Sequence, residues 1–137
     1  MRTLRPLALA CGLAVAAPAM AQGGLPPLSQ NSYINDRLLV AAIGDQIRRN
    51  CPTISERRSV VRAHALALLS YAMNLGYDRA TIDAYLADPR ARAAMEARRD
   101  AWLVANGAVR GDADSYCRIG LREIGRGTFL GSLLRAH

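Results

Sequence analysis

The chain has 137 residues, 51% of them hydrophobic and only 5% aromatic, with 18 basic residues, all arginine, against 11 acidic ones and a net charge of +7. That length suits one domain with one core and is too short for two. The arginines form no dense basic run and the few aromatics offer no base-stacking surface, which argues against a nucleic-acid partner. The charge suits anionic lipid heads, a polyanionic envelope or an acidic partner, or else arginine stems lying over helix surfaces.

The first segment, MRTLRPLALACGLAVAAPAMAQGG, has Arg2 and Arg5 at its start, an apolar run from Leu7 to Ala17 and the small-x-small triplet Ala19-Met20-Ala21. This is the layout of a secretory signal peptide over residues 1–21, cut after Ala21. The apolar run ends at Pro18, short of the roughly twenty residues a membrane span requires, and no later segment approaches that length, so no membrane span is expected. The expected location of the mature chain is the periplasm. Without Arg2 and Arg5 the charge falls to about +5.

Residues 22–31, QGGLPPLSQN, combine Gly-Gly with Pro26-Pro27 and lack apolar periodicity, so a flexible, extended leader is expected before a helical domain over 32–137. From Ser32 the apolar residues recur at three and four rather than two, giving five helices and no strand. The first spans about Tyr33 to Asn50, capped by Asn31 or Ser32, with Leu39, Val40, Ile43 and Ile47 on one face. Thr53 and Glu56 have capping-box spacing and predict a second helix over Ile54 to Leu75, with Val61, Ala65, Leu68, Ala72 and Leu75 inward and Gly76 as its stop. Asp78 caps a short helix bearing Ile82, Tyr85 and Leu86. Asp88-Pro89 starts a fourth that carries Ala91, Met95 and Trp102 and ends before Asn106-Gly107. Asp112 or Asp114 caps a fifth, with Cys117, Gly120, Leu121 and Ile124 on one side. Phe129, Leu130, Leu133 and Leu134 then form an apolar clasp.

Removal of the leader takes Cys11 with it and leaves Cys51 and Cys117, each on a core-facing helix side, in a chain expected to reach an oxidising compartment. A Cys51 to Cys117 disulfide is the natural reading. The fold class is therefore all-α: one small domain of about five helices stapled by one disulfide. No Cys-x-x-Cys, haem attachment or Cys/His cluster supports redox or metal chemistry, so no cofactor and no metal are expected.

No nucleophile elbow, zincin pair or phosphate loop is present, and no catalytic residue is assigned. His64, the one internal histidine, is expected to be partly buried and hydrogen-bonded. Arg57, Arg58, Arg62, Arg98 and Arg99 form the densest basic clusters and are candidates for gripping an anion or a partner, although pairs with Glu56, Glu96 or Asp100 explain them equally well.

The stretches YINDRLLVAAIGDQIRRNCPTIS and SYCRIGLREIGRGTFLGSLL resemble a domain-of-unknown-function family of small secreted helical proteins of Gram-negative bacteria with two mature cysteines. The resemblance rests on the Ile-Asn-Asp start, the Ile-Gly-Asp and Cys-Pro elements around the first helix end, and the Tyr-Cys and Gly-x-Leu-Leu elements near the other end. It implies an envelope location and a cystine-stapled fold and transfers no catalytic residue. The leading functional expectation is a non-enzymatic binding or accessory module for another envelope protein or membrane complex. A periplasmic stress chaperone, an immunity or inhibitor protein, and an accessory factor of a respiratory NADH dehydrogenase are the alternatives.

Overall fold

The computed structural model describes residues 24–137; the cleavage reading over residues 1–21 lies outside them. Six helices and a two-stranded ribbon follow a short 3-10 turn over Leu28–Gln30. The order is α1 (Ser32–Asn50), β1 (Ile54–Glu56), α2 (Arg58–Asn74), α3 (Arg79–Ala87), α4 (Pro89–Ala105), α5 (Ala113–Gly125), α6 (Phe129–Ser132) and β2 (Leu134–Ala136).

The helix starts follow their caps. Asn31 accepts from the Ile34 N–H at 3.0 Å to begin α1, Asp78 from Thr81 at 2.7 Å to begin α3, and Asp88 from Arg90 and Ala91 to begin α4 behind Pro89. Each side-chain oxygen satisfies a backbone donor that has no partner within its helix.

Helix α1 is the spine of the molecule and packs against α4, α5, α6 and β1. Its Ile43 and Ile47, 2% and 0% exposed, meet Cys51, Ile54, Leu103 and Ile119 in the main core. Burying each such side chain contributes about 1.5–3 kcal/mol. Gly120 of α5 lets this core close, because a Cβ there would run into the side chains of Ile54 and Ile47. The tail packs as its apolar pattern predicts, with Leu130, Leu133 and Leu134 buried.

Three expectations are corrected. The capping box at Thr53 and Glu56 does not form. Ile54–Glu56 is instead a strand that pairs antiparallel with Leu134–Ala136, Ile54 opposite Ala136 and Glu56 opposite Leu134. Helix α2 begins only at Arg58, with Arg57 as a cap that contributes no side-chain hydrogen bond.

On α5 the inward side is turned by one residue from the expected one. Tyr116, Ile119 and Gly120 are buried together with the polar Ser115 and Glu123, whereas Leu121 is 49% exposed. Both polar groups are satisfied where they lie: Ser115 Oγ donates to the Asp112 carbonyl at 2.7 Å, and Glu123 accepts from Thr128 Oγ1 at 2.8 Å.

The described part of the expected leader is seated rather than free of structure. Leu28 is buried beside Ile34, Ala72, Tyr77 and Ile82 in a second, smaller core. Asn35 Nδ2 donates to the carbonyls of Leu28 and Asn31 at 2.8 Å each, and the Tyr77 hydroxyl donates to the Pro26 carbonyl. Proline lacks an N–H but keeps its carbonyl, so Pro26 remains a usable acceptor.

Candidate functional site

Cys51 and Cys117 form a disulfide, with their Cα atoms 5.1 Å apart and a separation of 66 in sequence. Cys51 closes α1, its N–H donating to the Ile47 carbonyl at 2.8 Å, and is 1% exposed. Thr53 Oγ1 lies 3.3 Å from its sulfur. The pair joins α1 to α5, as the two inward cysteines predict.

His64 departs from expectation. It stands on an exposed stretch of α2, makes no side-chain hydrogen bond among the described residues, and meets Phe129 edge-on with ring centres 4.7 Å apart. Without an acidic orienter or a nucleophile in hydrogen-bond reach it has no general-base geometry. Among the described residues no group of His, Cys, Asp and Glu side chains is arranged to hold a metal ion.

The five singled-out arginines separate into three groups. Arg98 pairs with Asp36 at 3.1 Å and Arg99 with Asp100 at 2.8 Å, so both are occupied within the fold. The hydrogen bond to Asp100 raises the affinity of Arg99 for its proton above the ordinary guanidinium value. Arg57 and Arg58 line an open polar cleft with Arg48 of α1 and with Arg135, which the β1–β2 pairing brings there from the far end of the sequence. Arg58 sits 3.7 Å from Glu56 and is 91% exposed, so nothing holds it in a binding pose. Arg62 is exposed on α2 and does not join that cleft.

The surface around α2 is where the fold is least complete. Only Ala72 of its 17 residues is buried. Val61 and Leu68 are half-buried, while Ala65 and Leu75, both expected to face inward, are exposed. A helix that is apolar on most sides ordinarily lies inside a protein. This one rests on α1 through a narrow contact flanked by two apolar clefts.

The first cleft, about 250 Å³, lies between α1, α2 and α6 and carries Arg37 and His64 among apolar walls. The second, about 260 Å³, lies between α2 and α3 over Leu28 and Ile34, with Leu66 and Leu86 at its rim. Leu38, Ala65 and Leu68 line both. The near-continuous apolar run from Val60 to Leu75 is the signal in the sequence for this surface, because it supplies more apolar residues than one inward face can hold.

No helix among the described residues is long and apolar enough to cross a membrane. No curated protein and no solved structure matches the chain. A family model matches residues 26–135, from the seated leader to the ribbon's second strand, and the chain belongs to the corresponding family of unknown function, DUF5333.

Proposed function

We propose that this protein is an exported, non-enzymatic helical module that binds another protein of the bacterial envelope, using the second cleft and the adjoining flank of α2. The observation that carries this reading is the exposure of Leu66 at 55% and Leu86 at 49% in the lining of one apolar cleft, with Met73 of α2, outside that lining, 50% exposed. Leu66 and Met73 are seven positions apart and therefore share a helix side, next to Leu86 across the cleft. Exposed leucines lining an apolar cleft are the kind of surface that takes a partner contact. The signal-peptide layout of residues 1–21 and the disulfide support the periplasm as the place of action.

The test is crosslinking in intact cells, followed by purification of the tagged protein and mass spectrometry of what remains attached. One stoichiometric envelope protein is expected, and its capture should fall sharply for Leu66→Asp combined with Met73→Asp. Both side chains are exposed, so the folded state should change by about 0.5 kcal/mol or less for each. Equal capture by the variant, or catalytic turnover that vanishes in His64→Ala, would overturn the reading.

A stress chaperone is the second reading, favoured by the same exposed apolar residues. It would show as many weakly held clients enriched after acid stress, together with dye-detected apolar surface that grows on acidification.

A further inference from the structure

Among the described residues, Arg37, Arg48 and Arg99 are the arginines withdrawn from full exposure. Arg48 is held by Asp45 and Arg99 by Asp100. Arg37 has no carboxylate in ion-pair reach among the described residues. Its guanidinium carbon lies 4.1 Å from the centre of the Phe129 ring and 5.1 Å from that of Tyr33. Two aromatic rings thus fix a half-buried cation whose counter-charge is missing. Rings interact with the flat faces of a guanidinium and leave its N–H edge available to an acceptor.

That cation stands in the first cleft, whose remaining walls are largely apolar: Leu38, Ala41, Val61, Leu68 and Leu133. Among the described residues no Asp or Glu lines it, and its polar rings are Tyr33 and His64. The cleft measures about 250 Å³, larger than the roughly 150 Å³ cavity that suffices for benzene. An apolar space with one convergent, pre-positioned cation is the pattern of a small-ligand site, and the chemistry it selects is an anion with an apolar body. A planar carboxylate matches the two-pronged donor geometry of arginine.

We propose that this cleft binds a small free monocarboxylate, its carboxylate taken by Arg37 and its apolar body lying between α1 and α2 against Leu38, Val61 and Leu68. The site adjoins the partner surface, sharing Leu38, Ala65 and Leu68 with the second cleft, but Arg37 lines the first cleft alone.

The test is isothermal titration of the purified, disulfide-bonded protein with octanoate, using octan-1-ol and octylamine as chain-matched controls and butanoate and dodecanoate to gauge the cleft. Octanoate should bind more tightly than either control. Arg37→Met keeps an unbranched apolar stem and removes the charged guanidinium that lies over the rings. It should weaken octanoate by about tenfold or more, as expected for loss of a charge-assisted contact, and leave octan-1-ol unchanged. Ala65→Phe, placed on the exposed wall of α2 and checked for an unchanged melting temperature, should abolish binding of both by filling the cleft. The proposal is overturned if octanoate binds no better than octylamine, if none of the acids binds at millimolar concentration, or if either variant leaves octanoate affinity intact. Because no partner protein enters the titration, its failure is separate from failure of the envelope-binding reading.

Discussion

Reducing the Cys51–Cys117 bond isolates the contribution of the staple without changing any other atom in the protein. The bond closes 66 positions of chain, and the chain-entropy model assigns a loop of that length about 4 kcal/mol of destabilisation to the unfolded state. For about 110 ordered residues, the entropy of unfolding is on the order of 0.24 kcal/mol per kelvin. The quotient is a fall in melting temperature of roughly 15–20 °C. Circular dichroism melts of oxidised and reduced protein at one concentration read this directly, with Cys51→Ala/Cys117→Ala as the irreversible counterpart. The reduced protein should remain helical at low temperature, because Ile43, Ile47 and Ile119 supply apolar burial that does not itself require the sulfur–sulfur bond. A fall below about 5 °C would refute the loop-entropy reasoning, since it would mean that the reduced unfolded chain is already constrained. Alkylation of two thiols per unreduced chain would refute the bond itself.

Gly131→Ala should destabilise by about 1–3 kcal/mol or prevent folding, because a Cβ there meets the Glu123 carbonyl, a backbone group that cannot swing aside; urea unfolding measures it. Asn35→Leu should cost about 1–3 kcal/mol and release the segment around Leu28, because the carbonyls of Leu28 and Asn31 and the Tyr85 hydroxyl all lose a partner. Faster proteolysis before Ser32 is the readout. Asp45 predicts a pH dependence. Partial burial pushes its carboxyl up, but hydrogen bonds from Arg48 and Arg49 outweigh that and hold it below its ordinary value of 3.8. Its stabilisation is therefore present above pH 3.8 and lost as pH falls through the lower folded-state value. With the side chain 41% exposed the effect is small, under about 1 kcal/mol. Asp45→Asn should lower stability at neutral pH and converge with the native protein in strong acid.

Elements whose signals lie within a few residues were legible in the sequence. Asn31, Asp78, Asp88 and Asp112 mark helix starts that the structure places there, and the helix ending at Ala105 stops before Asn106-Gly107 as its composition dictates. The cysteine pairing was legible because only two candidates followed the leader. The ribbon was not, since Ile54–Glu56 becomes a strand through residues 134–136, and no local pattern reports a partner that far away. A capping-box spacing at the same place offered a competing local signal, and the tertiary pairing won.

The α5 face was not legible for another reason. Ser115 and Glu123 are inside because hydrogen bonds satisfy them, and an apolar-periodicity argument counts such residues as outside. Arg57, Arg58, Arg62, Arg98 and Arg99 stood out as runs, yet the arginine with a distinctive environment is Arg37, which has no arginine neighbour in sequence. Its setting is created by Tyr33 on the same helix and Phe129 on a remote one.

The ribbon also bears on when this protein can fold. Strand β1 near the middle of the chain has no partner until residue 136 has been made, and the Leu133 carbonyl, which receives the Arg57 N–H at 2.8 Å, arrives equally late. Pairings this distant in sequence come after local helix formation and slow the completion of a core. The nascent polypeptide therefore remains open while most of it is being synthesised, with α1 unable to close against α5 and the ribbon. The architecture itself thus postpones closure of the core until residues 134–136 are present.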